Sequence, residues 1–321
     1  MMMRKLMTPL MILAMAIGFG ACSDDKDPAP ANENKSIASL YQSLKETPQG
    51  FTVNAGSWQS ITGARGTIIR FNPQSFKDAS GNIITSGTVD ITLTEAYTPG
   101  QMLLNNVTTE TDSHELLGSG GCVNITAKVN NHEVFANNYS ISFKQPGANE
   151  QSMALFNGIA STDPLSGTIW SSDSSNTVPR ATKDSLSNPT FYYAFDSCLN
   201  FNWINCDHFI SSPDPKSDVK VTLPDSSYNV ANTRVFIIFP DLNMVTGLSH
   251  YDAATSTFSL GYPSYFLPVG TNIKVVVLSA RNNAYYFDLK ENITVSNNIS
   301  ITTNPAMQQS VSAIQSVLLN L

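Results

Sequence analysis

From Phe51 onward, hydrophobic and polar positions alternate with a period of two through most of this chain, the spacing of strands that bury one face. Val89, Ile91 and Leu93 alternate with Asp90, Thr92 and Thr94. Val123, Ile125, Ala127 and Val129 alternate with Asn124, Thr126 and Lys128, and Tyr139, Ile141 and Phe143 repeat the pattern up to Pro146. Residues 67–71 form another short β-rich run, and turn chemistry falls at 78–82 and at Asn130-Asn131. In the second half an aromatic run at 191–195 is followed by alternating Leu199, Phe201 and Trp203. Further strands are expected at 219–223, 235–239, 273–278, 285–287 and 293–295. No helical segments separate these strands, which predicts antiparallel sandwiches rather than an α/β fold.

The period changes to that of a helix at two places. Ile37, Leu40, Tyr41 and Leu44 share one helical face ahead of Pro48, predicting a short N-terminal helix. Val311, Ile314, Val317, Leu318 and Leu321 do the same at the far end. Asn304 is suited to cap that helix and Pro305 to its first position, and the helix is expected to pack across the second sandwich. Between Ala160 and Asn188 the composition shifts to Ser, Thr, Asp and Pro, with Trp170 the bulky exception, which reads as an interdomain linker. The expected fold is all-β, with two antiparallel β-sandwich domains in tandem, a short N-terminal helix and a C-terminal helix. The boundaries read as a leader over 1–21, a tether and helix over 22–47, sandwiches over 48–160 and 191–321, and a linker over 161–190.

The leader has a basic start, Arg4-Lys5, and an apolar run of 14 residues from Leu6 to Phe19 interrupted by Thr8 and Pro9. That run is too short for the ~20 residues of a permanent membrane helix. Phe19-Gly20-Ala21-Cys22 places small residues before a cysteine, and this segment resembles a bacterial lipoprotein signal peptide, with Phe19 where Leu is usual. The resemblance implies cleavage before Cys22 and acylation of its thiol, and several acyl chains hold a protein stably on a membrane. Ser23-Asp24-Asp25-Lys26-Asp27 resembles the acidic export tag of surface lipoproteins in the Bacteroidota, which implies an outer-membrane, cell-surface location. From Ser23 to Lys35 the chain is acidic, rich in Pro, Ala and Asn and without apolar periodicity, as in a flexible tether.

Charge narrows the partners. The net charge is −7, and cleavage before Cys22 removes Arg4 and Lys5, leaving 16 basic against 25 acidic residues. Such a chain repels a phosphate backbone, so nucleic acid is not an expected partner. Charged residues make up only 13% of the chain, a composition closer to an extracellular β-protein than to a cytosolic enzyme.

With Cys22 assigned to lipid, Cys122, Cys198 and Cys206 remain. Export permits disulfides. Cys198 and Cys206 stand eight residues apart, so the chain must turn back near Asn205 to join them; the alternatives are a bridge and two buried thiols. Cys122 reads as structural.

Candidate chemistry is sparse. His114, His132, His208 and His250 are scattered without metal-ligand spacing, no HExxH or paired CxxC occurs, and no metal or cofactor is expected. Gly118-Ser119-Gly120-Gly121 lacks the flanks of a nucleophile elbow and precedes a strand rather than a helix, so it reads as a glycine-rich turn. Tyr251, Tyr262, Tyr265, Phe266, Tyr285 and Tyr286 are dense in the second half. They either fill the core or stack on a ligand, and Tyr251, Tyr262 and Tyr265 are the candidate ligand aromatics.

Three series in the first half carry a further likeness: 61–69, 76–81 with 87–91, and Leu116-Leu117-Gly118-Ser119-Gly120-Gly121. Over roughly residues 50–160 they resemble a recurrent domain of uncharacterised Bacteroidota lipoproteins, and are distantly similar to the ZU5 β-sandwich. Trp203-Ile204-Asn205-Cys206-Asp207 resembles such lipoproteins more weakly, and Asp184-Ser185-Leu186 resembles an O-glycosylation acceptor of the same bacteria, implying a glycan on Ser185. Some proteins that pair ZU5 with a second sandwich cleave themselves at a Phe-Ser bond beside a histidine. Here His208-Phe209 is followed by Ile210, with Ser211 one residue late, and the nucleophile must adjoin its own scissile carbonyl. The expectation is a non-catalytic binding or scaffold protein of the outer envelope, membrane-held through its acyl chains and recognising a glycan or a protein. A structural or adhesive protein that pairs through strand edges, and a hydrolase or self-cleaving domain, are the alternatives.

Overall fold

The computed structural model describes residues 34–160, 167–178, 180–183, 190–211, 215–261, 266–308 and 310–321. Cys22, Ser23, Asp24, Asp25, Lys26 and Asp27, together with Ser185, Tyr262 and Tyr265, lie outside the described residues.

The fold is all-β, and its strands form four principal sheets. Sheet 1 runs in the order Thr182–Lys183, Phe191–Cys198, Tyr139–Gln145, Ile68–Phe71, Gln59–Thr62. Sheet 2 runs Gln49–Asn54, Thr88–Ala96, Leu117–Val129, Asn202–Phe209, Met153–Ala160, Thr168–Val178, Val107–Thr111. Sheet 3 runs Met244–Gly247, Thr233–Phe239, Asn272–Arg281, Ala284–Thr294, Ala306–Gln308, and sheet 4 runs His250–Asp252, Thr257–Ser259, Val219–Thr222, Ile299–Thr302. Pairing is antiparallel except where Thr168–Val178 meets Val107–Thr111 and Val219–Thr222 meets Ile299–Thr302.

Three hydrophobic cores separate the sheets. Ile69, Phe71, Ile141 and Phe143 of sheet 1 meet Val89, Ile91, Leu93, Val123 and Ile125 of sheet 2 in the first sandwich. Val235, Ile237, Val275 and Val277 of sheet 3 meet Val219, Val221 and Phe258 of sheet 4 in the second. A third core joins the sandwiches. Leu117, Cys122, Phe156 and Trp170 on the other face of sheet 2 pack with Phe236, Ile238, Val276 and Leu278 on the other face of sheet 3. Sheet 3 is therefore apolar on both faces, and for that reason residues 235–239 and 275–278 are continuous apolar runs rather than alternating ones.

Three helices complete this central core. Helix α1, Ile37–Leu44, is closed by a reciprocal Ser36/Ser39 capping box and buries Ile37, Leu40, Tyr41 and Leu44, the four positions that its periodicity selects. Helix α2, Pro99–Leu104, starts behind Thr98, whose side chain accepts from the Gln101 N–H, with Pro99 in the first turn. Helix α3, Val311–Leu318, is capped by Ser310 and buries Ile314 and Leu318. A methyl group on Gly100 would collide with the Leu318 carbonyl, so the glycine sets the close approach of α2 to α3.

Several expectations are corrected. The C-terminal helix begins at Val311, not near Pro305, because Ala306–Gln308 pairs with 285–287 as the last strand of sheet 3 and the Asn304 N–H donates to Asp288 Oδ2. That helix joins the central core rather than covering the second sandwich alone. The span expected as a linker, 161–190, contains the strands Thr168–Val178 and Thr182–Lys183. Trp170 is fully buried there, its indole N–H donating to the Thr108 carbonyl at 2.6 Å. Phe191–Cys198 and Asn202–Phe209, assigned from sequence to the second sandwich, are strands of the first. The crossing between sandwiches falls after Phe209, and Lys35–Leu321 forms one compact unit rather than two joined by a linker.

Candidate functional site

The crossing places a cleft of about 700 Å³ at the waist of the molecule. From the first sandwich it is lined by Leu116, His208, Phe209 and Ile210, and from the second by Phe239, Leu242, Met244 and Pro268. Phe209 and Leu242 are 43% and 38% exposed at its rim. Phe209 is nonetheless fixed, edge-on to buried Phe156 with ring centroids 5.3 Å apart. Leu242 lies in the 3₁₀ turn Pro240–Leu242, which ends on Asn243 in the left-handed conformation, φ 50°.

Asn243 also ties the two walls together. Its side-chain amide donates to the Ser119 carbonyl at 2.8 Å and the Tyr97 carbonyl at 3.0 Å. Farther along the same seam, Thr109 Oγ1 donates to the Val245 carbonyl and accepts from the Val245 N–H, both at 3.0 Å. Glu110 Oε1 accepts from Thr246 Oγ1 at 2.7 Å and from the Gly247 N–H at 2.6 Å. The cleft walls are held by hydrogen bonds as well as by the apolar core, so the cleft is preformed.

Behind the wall lies a buried polar cluster. Residues 118–121 do not form the glycine-rich turn expected from sequence; they are a bulge inside the strand Leu117–Val129. The register shifts from Asn205 opposite Cys122 to Asp207 opposite Ser119, and Gly121 takes φ 116°. Ser119 Oγ accepts from the Gly121 N–H and donates to Asn205 Oδ1, and Asn205 Nδ2 donates to Asp207 Oδ2. Asp207 Oδ1 is buried without a hydrogen-bond partner, and burial holds this carboxyl well above the usual carboxylate range. Burial thus favours its protonated, neutral form.

Ser119, Asp207 and His208 are the residue types of a hydrolytic triad, and the register brings them side by side. The pleat separates them. Asp207 shares its strand face with Asn205, whereas neighbouring His208 lies against Gly118, where an added Cβ would come within 2.5 Å of the ring. Burial also lowers the His208 pKa, leaving an uncharged imidazole in the cleft.

The remaining candidates are dispersed. Cys198 and Cys206 are free thiols, so the candidate disulfide is not formed. Cys198 ends a strand of sheet 1 opposite Tyr139, and Cys206 lies within sheet 2. Burial pushes the Cys198 thiol up to about 12 and raises Cys122 and Cys206 as well, so all three are protonated and poorly nucleophilic. Tyr251 is half-buried and packs against the second core. Its ring packs 4.7 Å from that of Phe258 and its hydroxyl donates to the Tyr228 carbonyl at 2.9 Å. His114 lies in the turn after Val107–Thr111, His132 in a hairpin and His250 on sheet 4. Among the described residues no group of three His, Cys, Asp or Glu comes together as a metal site, and no helix is long and apolar enough to cross a membrane. Leu116, Phe239, Leu242 and Met244 were not marked by sequence as site residues, because their convergence depends on how the sandwiches dock.

No protein-family model matches this chain, and no curated protein matches it either.

Proposed function

We propose that this chain is a lipid-anchored, non-catalytic binding protein of the outer envelope. In this reading Cys22 carries the acyl chains, and the cleft at the waist receives an apolar side chain or short apolar segment of a partner protein. The preformed cleft carries the reading: its lining is largely apolar, Phe209 and Leu242 are exposed at its mouth, and Gln151 and His208 supply polar contacts for a peptide backbone. The anchor reading is supported by the residues of the leader. The 14 residues from Cys22 to Lys35 would reach about 45 Å if fully extended, enough to lift the body off a bilayer.

Pairing of another chain with the Val107–Thr111 edge of sheet 2 is not supported. The edge strand Val107–Thr111 is buried along its whole length and bonded to 245–247, so this edge is covered.

Three measurements test the reading. Metabolic palmitate labelling should mark the wild type and not Cys22→Ala, and protease treatment of intact cells should remove the wild type while a periplasmic control survives. Absence of label, or a protected wild type, contradicts the anchor or its surface face. For the cleft, the apolar dye anilinonaphthalene sulfonate should bind the native protein at one saturable site and lose that site in Phe209→Arg. Unchanged dye binding in that variant contradicts the cleft.

A further inference from the structure

The outer face of sheet 4 forms a second concavity, about 470 Å³ in volume, with a different chemistry. Its strands bury Val219, Val221 and Phe258 inward, and the pleat therefore turns the alternate residues outward. The register lines these residues up in rows that cross the strands. One row is His250, Ser259, Lys220, Ser300, with Ser259 only 6% exposed at its floor; the next is Asp252, Thr257, Thr222, Thr302. Neighbouring groups in a row are about 4.8 Å apart and the rows about 6.7 Å apart. Asp218 stands beyond Lys220 at one margin, and Gly261 lies beside His250, where an added Cβ would come within 2.7 Å of that side chain.

The donors and acceptors are mixed. Thr222 Oγ1 and Thr257 Oγ1 share a 3.1 Å hydrogen bond, and no aliphatic, Phe, Tyr or Trp side chain lines the groove among the described residues. Asp252 accepts from the Ala254 N–H and Thr255 Oγ1, which hold its carboxyl below the usual range, so it is an anion and accepts only. Lys220 donates only, and the hydroxyls do both. Such a surface offers nothing to an apolar ligand. With a carboxylate in the second row and another beyond the first, in a chain of net charge −7, it also disfavours phosphate, sulfate and polyuronate ligands.

We infer that this groove binds a neutral oligosaccharide laid across the strands, its vicinal hydroxyls paired with the carboxylates, the lysine and the Ser/Thr hydroxyls. The strand spacing sets the repeat, presenting one polar group per strand to successive sugar residues. The inference shares with the proposed function the reading of this chain as a binding protein, but the site is separate from the cleft at the waist.

Affinity gel electrophoresis tests it, with the mature protein run in detergent through gels containing laminarin, galactomannan, amylopectin or yeast mannan, and polygalacturonate as the anionic control. At least one neutral polymer should retard the protein and polygalacturonate should not. The double variant Lys220→Ala/Ser300→Val changes two exposed side chains outside the cores. It should melt with the wild type and weaken the retardation at least tenfold, while Phe209→Arg leaves it unchanged. Retardation by none of the four neutral polymers, equal retardation by polygalacturonate, or full retardation of the double variant overturns the inference. Loss with Phe209→Arg alone moves the sugar to the cleft and also overturns it.

Discussion

Asp207 shows what a single residue does in this fold. Burial favours the neutral form of this carboxyl at 0% exposure; one oxygen is unpartnered and the other accepts from Asn205, which is bonded in turn to Ser119. Its folded pKa lies above the unfolded value of about 3.9, so the folded state binds the extra proton over the intervening window. The contribution is neutral below pH ~3.9 and becomes a penalty as pH rises, growing by up to about 1.4 kcal/mol per unit until the folded pKa is reached. Asp207→Asn removes the titration. In melts at rising pH above 4 the variant should gain on the wild type; curves that stay parallel would show that the Asp207 pKa is not raised in the fold. Asp207 was legible as a residue but not as a buried acid, because nothing in the local pattern Asn205-Cys206-Asp207 says that both faces of its strand are covered.

At the scale of elements, legibility follows how completely one face is buried. The strands around Val89, Val123 and Tyr139 alternate cleanly because hydrophobic contrast is strong there, and α1 is legible for the same reason. Thr168–Val178 was not, because Trp170 supplies most of its visible apolar signal amid Ser, Thr and Asp. This yields a direct test of the strand: Trp170→Ala should cost about 3–5 kcal/mol, whereas a tryptophan in a solvated linker would cost almost nothing. Chemical denaturation of the two proteins reads the difference. Helix α2 carried a short signal, Thr98-Pro99 at cap and first turn, but six residues are too few to establish a period. Residues 118–121 read as a turn because glycines that permit a bulge and glycines that permit a turn look alike.

At the scale of the molecule, the all-β class was legible and the division into domains was not. Periodicity identifies which residues are inside but not what covers them, and the two runs at 235–239 and 275–278 are the places where the sequence hints that a sheet is covered twice. Cutting the chain after Phe209 would expose Phe236, Ile238, Val276 and Leu278 on one piece and Leu117, Phe156 and Trp170 on the other, so neither half is expected to be stable alone. The cleft at the waist has a fixed shape only if this core holds.

Calorimetric unfolding of the mature protein tests that most directly. One transition, with equal calorimetric and van't Hoff enthalpies, is the result expected of sandwiches welded through a shared core. Two separable transitions, with Trp170→Ala shifting one and leaving the other in place, would show two independent sandwiches and would contradict a preformed cleft between them.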